Sequence, residues 1–446
     1  MTPPTLLRRR EIIDALRLGA VPRRGLDLFA VGLGRFDKVI DEELDAVAAG
    51  RGRFKAVRGE YGTGKTFFAR WLEQKALERS FATSLVQISE TETPLYRMET
   101  VYRRAVEALR TREGSDGVFR GLVERWFFAL EEEVQRGGEV DLADDAAIAR
   151  AVGDLLEKRL RVVSATQPQF AAALRACHAA HVAGHHAVVE GLVAWIMGEP
   201  NVGAEIKRKA QIKGDLDHDG AAGFLRGLLE LLRQTGRQGL VLVLDEVETI
   251  QRVRADSREK SLNALRQLLD DLAGDRFPGL YVLITGTPQF FDGPQGVKRL
   301  APLAQRLHTE FAEDPRFDSA RAVQIRLSTF DLEKLVEVGG KVRELYPSTH
   351  PERTAAAIDD ALLAALARGI AGTLGGRVGI APRLYLKRLV QILDQVDEHP
   401  DFDPRKHAKL VVSADEMSDE ERAAAGAPTK LDDLDLELPP RQGGTG

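Results

Sequence analysis

A single cysteine, Cys177, in 446 residues excludes an intramolecular disulfide framework and fits a reducing compartment, with the cytoplasm as the expected location. Long apolar runs are missing too: no stretch of about eighteen apolar residues is there to span a membrane. Excess charge of one sign is small. The formal net charge is −5, so the chain is not a polycation that would coat nucleic acid unselectively, while a local basic groove stays compatible with it. Arg8, Arg9 and Arg10 are followed by "EIIDALRLGA", which mixes acids and bases at helical spacing and reads as a folded helix rather than a secretory apolar region. Internal repeats are also lacking. The length suits two to three domains, or one elaborated domain, with a sizeable core.

Five short apolar runs bounded by turn residues predict strands around residues 54–57, 84–88, 240–244, 280–285 and 323–327. Continuous apolar runs suit strands covered on both faces, as in a parallel sheet between helices, so the expected class is α/β. From Lys65 to Asp245 is 180 positions, far more than one strand and its crossover helices need. Most of the excess lies between residues 97 and 237 and predicts a helical insertion. Segments 101–110, 117–134, 144–160 and 221–234 each place apolar residues three and four apart. After the fifth run, "STFDLEKLVEVGGKVRELYP" and amphipathic stretches at 354–371 and 382–396 predict a small helical C-terminal lid. From Ser413 onward nine acids stand against three bases, which predicts a mostly disordered acidic tail.

The most specific motif is Gly59-Glu60-Tyr61-Gly62-Thr63-Gly64-Lys65-Thr66, which satisfies G-x-x-x-x-G-K-[ST] between an apolar strand and the helix "TFFARWLEQKALER". Glycines let the backbone wrap phosphates with N–H groups inward, and a helix N-terminus adds the positive end of its dipole. Lys65 would reach the β- and γ-phosphates of ATP. Thr66 would place its hydroxyl on Mg²⁺, which prefers such oxygen ligands.

A phosphate loop alone does not separate a kinase, a GTPase and an ATP-driven machine. The run "LVLVLDEVE" delivers Asp245 and Glu246 at a strand end, where a Walker-B acid belongs. Asp245 would complete the Mg²⁺ shell and Glu246 would orient and activate the attacking water, which favours hydrolysis over transfer to a small-molecule acceptor. Thr285 and Thr287, in "YVLITGTPQFF", stand where either a γ-phosphate sensor or a plain Thr-Gly-Thr-Pro turn would be found. Arg383 follows Pro382 at the start of an amphipathic helix, free to reach the nucleotide from the lid. Arg306, with Arg299 just before it, lies between the fourth and fifth strands and is either a transition-state arginine for a neighbouring subunit or an ion-paired surface residue.

These parts in this order resemble an AAA-type P-loop ATPase of the initiator or loader branch. The segments "VPRRGLDLFAVGLGRFD", "FKAVRGEYGTGKTFFARWL", "VQISETETPLYRMETVYR", "VLVLDEVETIQR" and "ITGTPQFFDGPQGVKRLAPLAQRL" are further similar to the BrxD family of ATP-binding proteins of BREX bacteriophage-exclusion systems, from about residue 8 to residue 395. That resemblance implies a Mg²⁺-dependent ATPase of bacterial antiviral defence, working with a DNA methyltransferase, a phosphatase-like protein and other BREX proteins, with duplex DNA as a further candidate partner and homo-oligomerisation expected. It implies Lys65 and Thr66 as the phosphate-loop pair, Asp245 and Glu246 as the Walker-B pair, Arg383 as a second sensor and Arg306 as the trans-acting arginine. The chain divides on this reading into an N-terminal helical, nucleotide-contacting segment (1–35), an AAA-type core (36–96 and 237–335), a helical insertion (97–236), a lid (336–412) and the acidic tail (413–446). Two other functions fit the same residues: a nucleotide-dependent switch or scaffold with little hydrolysis, and a DNA-loading ATPase outside defence.

Three weaker signals remain. "SETETPLYR", residues 89–97, reads as a capped helix start with Thr93 as N-cap before Pro94, against a role in partner or nucleic-acid contact. "ACHAAHVAGHHA" gathers Cys177, His178, His181, His185 and His186, with the first three of those histidines on one helical face. It lacks the paired-cysteine spacing of structural zinc sites and reads more simply as an alanine-rich surface helix. Lys207, Arg208, Lys209 and Lys213, and Arg252, Arg254, Arg258 and Lys260, sit among acids as solvated helix faces would, although either group could track phosphates.

Overall fold

The computed structural model describes residues 4–138, 144–373 and 381–411, together with Ser413, Glu416, Met417 and Arg422. The tail expected over 413–446 lies, those four residues aside, outside the described residues. The chain divides into two compact units, one of Gly32–Gly59 and Gly64–Ser328, the other of the described residues of Met1–Val31, Glu60–Thr63 and Thr329–Gly446.

The first unit is built on five parallel strands, β1 (Arg53–Arg58), β2 (Ala82–Gln87), β3 (Leu240–Asp245), β4 (Leu280–Gly286) and β5 (Gln324–Arg326), in the order β2-β3-β4-β1-β5. Every residue of β3 and β4 is buried, as their unbroken apolar runs require of strands covered on both faces. Alternation sorts their side chains. Leu242, Leu244, Val282 and Ile284 join one core with Phe119, Trp126, Phe170 and Phe224 of the long insertion. On the opposite face Tyr281 donates to Glu43 Oε2 at 2.7 Å, from a helix over Gly34–Ala48. Lys55 of β1, 1% exposed, lies 2.6 Å from Glu43 and donates to the carbonyls of Ala320 and Ala322, so its buried charge is paired and hydrogen-bonded. The fifth strand, expected over 323–327, is confined to three residues that pair with Ala56, Val57 and Arg58 of β1.

The insertion is helical, with long elements at Met98–Glu107, Val118–Gly137, Asp145–Thr166, Pro168–Val182, His186–Ile196 and His218–Gln234. Two local expectations are corrected. The helix expected from Pro94 begins at Met98. Residues 89–97 instead form turns, in which Ser89 Oγ accepts from the N–H groups of Glu92 (3.1 Å) and Thr93 (2.8 Å), and Arg97 N–H donates to Pro94 O (3.0 Å). Thr93 therefore caps no helix. The face expected to carry His178, His181 and His185 is also broken, because the helix stops at Val182 and Gly184 takes a left-handed backbone (φ 69°), leaving His185 at the start of the next helix.

The second unit packs helices Leu6–Arg17, Leu332–Leu345, Pro351–Ala357, Asp360–Thr373 and Ala381–Glu398. Arg9 reaches the C-terminus of the second of these, donating to Leu345 O (2.8 Å), Glu344 O (2.9 Å) and Tyr346 O (2.7 Å), carbonyls the helix itself leaves unmatched. A Cβ on Gly339 would stand 2.2 Å from the Tyr385 hydroxyl oxygen, so glycine is what lets that helix approach Tyr385. The single stretch expected over 354–371 is two helices. Arg343 takes the Ile358 carbonyl (2.9 Å) and Asp359 Oδ1 accepts from Leu362 N–H (2.9 Å), which starts a new helix there. Among the described residues no helix is long and apolar enough to cross a membrane.

Candidate nucleotide site

The loop after β1 starts from a fixed anchor: Gly59 N–H donates to Gly286 O at the end of β4, 3.1 Å away. Gly62 (φ 77°) and Gly64 (φ 94°) adopt left-handed backbone that side-chain-bearing residues disfavour. Gly64 O then accepts from Phe68 N–H at 2.8 Å and the helix Lys65–Glu78 begins. Within the loop Thr63 Oγ1 donates to Glu60 O at 2.8 Å. Lys65 is 8% exposed, and its Nζ donates to Gly59 O at 2.9 Å.

The strand order places β4 between β1 and β3, and the strand ends then assemble a compact cluster. Thr66 Oγ1 donates to Asp245 Oδ2 at 3.1 Å. Asp245 is buried at the end of β3, and its other oxygen accepts from Thr285 Oγ1. The same Thr285 oxygen accepts from Glu246 N–H at 3.1 Å, so the threonine at the end of β4 ties the two adjacent acids together. Glu246 takes a left-handed backbone (φ 59°, ψ 43°) that ends the strand abruptly, and its Oε2 accepts from Gln87 Nε2 at 2.9 Å. Structure thus brings Lys65, Thr66, Asp245, Glu246 and Thr285 together.

Two residues of this neighbourhood escaped sequence reasoning. Gln87 is the last residue of β2, and a polar residue following Leu85 and Val86 at the strand's end was the available signal, given that parallel strands present their C-terminal ends on one edge. Glu248, 5% exposed in the turn of 3-10 helix Val247–Gln251, has its Oε1 3.8 Å from Lys65 Nζ. Burial raises its carboxyl above the ordinary range; Lys65 and a hydrogen bond from its own backbone N–H oppose that, while Glu246 and Asp245 add to it.

Other expected residues lie elsewhere. Thr287 is buried at the start of the short helix Pro288–Asp292, where its carbonyl accepts from Phe290 N–H at 3.0 Å. Arg306 is ion-paired with Asp270 and donates to Pro302 O at 3.1 Å. Arg299 is exposed and makes no ion pair among the described residues. Arg383 belongs to the second unit, where its Nη2 reaches Glu416 O at 3.5 Å. Among the described residues no group of three or more His, Cys, Asp or Glu is placed to hold a metal ion. Cys177 is buried, with its thiol pushed up to about 12 mainly by that burial, and His178 stacks edge-on against Phe127 at 5.0 Å between ring centres. Lys207 pairs with Asp215 at 2.6 Å, and Arg258 donates to Gln251 O at 2.9 Å.

The site fits the groups its motif calls for. The start of a helix of 14 residues, two left-handed glycines and a buried lysine suit an anionic phosphate chain. The Thr66 hydroxyl and Asp245 carboxylate, 3.1 Å apart, are the hard oxygen donors that Mg²⁺ takes.

A parallel sheet of this order, with a glycine-rich loop feeding a helix and an Asp-Glu pair on the strand two places away, defines a P-loop nucleotide-binding protein. The chain belongs to the family of BREX system ATP-binding proteins BrxC/D, whose family model matches residues 6–412. That match spans both members and does not separate C from D. No curated protein matches the chain. It is thus an ATP-binding component of a BREX system, one member of a set that includes other BREX proteins.

Proposed function

We propose that the chain binds ATP with Mg²⁺ at the loop of residues 59–66 and hydrolyses it, using the cycle to assemble or remodel BREX partners, the methyltransferase and phosphatase-like protein among them, or duplex DNA. The observation that carries this reading is the junction of Thr66, Asp245, Thr285 and Glu246 at the ends of β3 and β4. Lys65 supplies positive charge to the β- and γ-phosphates. Thr66 and Asp245 hold Mg²⁺, which when bound neutralises charge on the phosphate oxygens. Thr285 keeps Asp245 and the Glu246 backbone in register. The Glu246 carboxylate leaves Gln87, orients a water and takes its proton as the water oxygen bonds to the γ-phosphorus and the bond to the bridging oxygen breaks.

On this account Arg383 acts as a sensor from the lid, Thr287 stays near the γ-phosphate strand end, and a second copy of the chain supplies an arginine. Both arginines are exposed; Arg306 can serve in that role only by leaving Asp270, whereas Arg299 makes no ion pair among the described residues. One observation favours the switch reading instead: Gln87 Nε2 donates to Glu246 Oε2, a bond that competes with use of that oxygen as a base toward water. Steady-state ATPase measured against protein concentration, with and without duplex DNA, separates the two. Turnover per chain that rises with either supports the machine. Flat, negligible turnover beside tight ATP binding supports the switch.

A further inference from the structure

Glu248 is the one acid of the "DEVE" run with no role in the account above, and its surroundings are unusual. It is 5% exposed, and among the described residues no side chain and no other residue's backbone donates to either carboxylate oxygen, which leaves its own backbone N–H as the nearby donor. An acid buried with so few donors is costly, and a glutamine or methionine would fill the same space at less cost. Its only ion partner among the described residues is Lys65, whose Nζ lies 3.8 Å from Oε1 while donating to Gly59 O at 2.9 Å. Both side chains are more than nine-tenths buried, so water screens their attraction little.

The backbone explains how Glu248 comes to face the lysine. Glu246 sits in the left-handed region, which turns the chain sharply into the 3-10 helix Val247–Gln251. That turn sends the Glu246 carboxylate to Gln87 and the Glu248 carboxylate to Lys65, dividing two nearly adjacent acids between two tasks.

We propose that Glu248 is a positioning residue for the phosphate-loop lysine, a buried counter-charge that draws the Lys65 ammonium toward the turn after β3 and so opposes its capture by a bound phosphate chain. The inference rests on the nucleotide reading of the loop and deepens it. A phosphate chain and the Glu248 carboxylate compete for one ammonium, and they repel each other. Glu248 therefore weakens nucleotide binding and keeps it reversible, a useful property in a protein that must release its nucleotide after each cycle.

The test is equilibrium binding of a fluorescent ATP analogue and of ADP to the full chain, its Lys65→Ala variant and its Glu248→Gln variant, with thermal melting of each. Glu248→Gln keeps the volume and removes the charge, and is expected to tighten binding by roughly five-fold or more, the usual size of a coupling between sites. A residue needed only for packing could not produce that direction of change. Unchanged or weaker binding by a Gln variant that melts like the wild type overturns the inference. Glu248→Met carries the same expectation, and loss of folding in both variants would also overturn it by making Glu248 a structural requirement. Failure of the underlying reading looks different: the wild type would bind no ATP, or Lys65→Ala would bind as well as the wild type.

Discussion

Thr285 shows how much one buried hydroxyl can organise. It donates to Asp245 and accepts from Glu246 N–H, and it is fully buried. Thr285→Val keeps the shape but leaves a backbone donor and a carboxylate oxygen without partners, a loss of about 1–3 kcal/mol in stability. Thermal melting should register that loss, and turnover should fall by about ten-fold or more if Asp245 and Glu246 lose their alignment. Thr285→Ser, which keeps the hydroxyl, should recover most of both; equal defects in the two variants would count against the positioning role. Glu73, on the helix after the loop, is 2% exposed, and burial raises its carboxyl while Arg110 opposes the shift. A carboxyl raised in the folded state binds its proton there more tightly than in the unfolded chain. Its contribution is then full at pH below the ordinary carboxylate range and is lost as pH rises through the folded-state value. Glu73→Gln should flatten that part of the stability-versus-pH curve and raise the melting temperature at pH 7. A curve unchanged by the substitution would show that Glu73 titrates normally.

At the scale of elements, the insertion shares the core of the sheet. Phe170 is fully buried, its ring 5.2 Å from that of Phe224, and a Cβ on Gly227 would lie 2.8 Å from it. Both aromatic rings lie in the same cluster as Leu242 of β3. Phe170→Ala should therefore destabilise by about 3–5 kcal/mol and move the unfolding of insertion and sheet together. Two separate transitions by calorimetry, with only one shifted, would contradict a shared core. The elements were legible in sequence where one physical signal dominated: β3 and β4 as unbroken apolar runs, the loop of residues 59–66 as glycines ahead of a helix, the insertion as apolar spacing of three and four. They were not where the outcome was decided by a partner distant in sequence or by competition among hydrogen bonds. The break at Ile358 depends on Arg343 taking its carbonyl. Ser89 rather than Thr93 captured the turn before Met98. Gln87 meets Glu246 across 159 positions, a contact that only the pairing of β2 with β3 creates.

At the scale of the whole molecule, membership in the BrxC/D family over residues 6–412 fixes ATP binding and the BREX setting, while the proposed hydrolysis rests on a handful of side chains at the ends of β2, β3 and β4. Dependence of turnover on protein concentration would support the proposed trans-acting arginine of a second copy, with Arg299 and Arg306 as the residues to substitute. The central claim, that Glu246 activates the water while Lys65, Thr66 and Asp245 hold the nucleotide, is tested most directly by comparing Glu246→Gln with the wild type in ATP binding and hydrolysis on the same preparations. The account predicts ATP affinity within a few-fold of the wild type and hydrolysis slowed by about 10²-fold or more, the usual worth of a general base. Hydrolysis at the wild-type rate in the Glu246→Gln variant would contradict it.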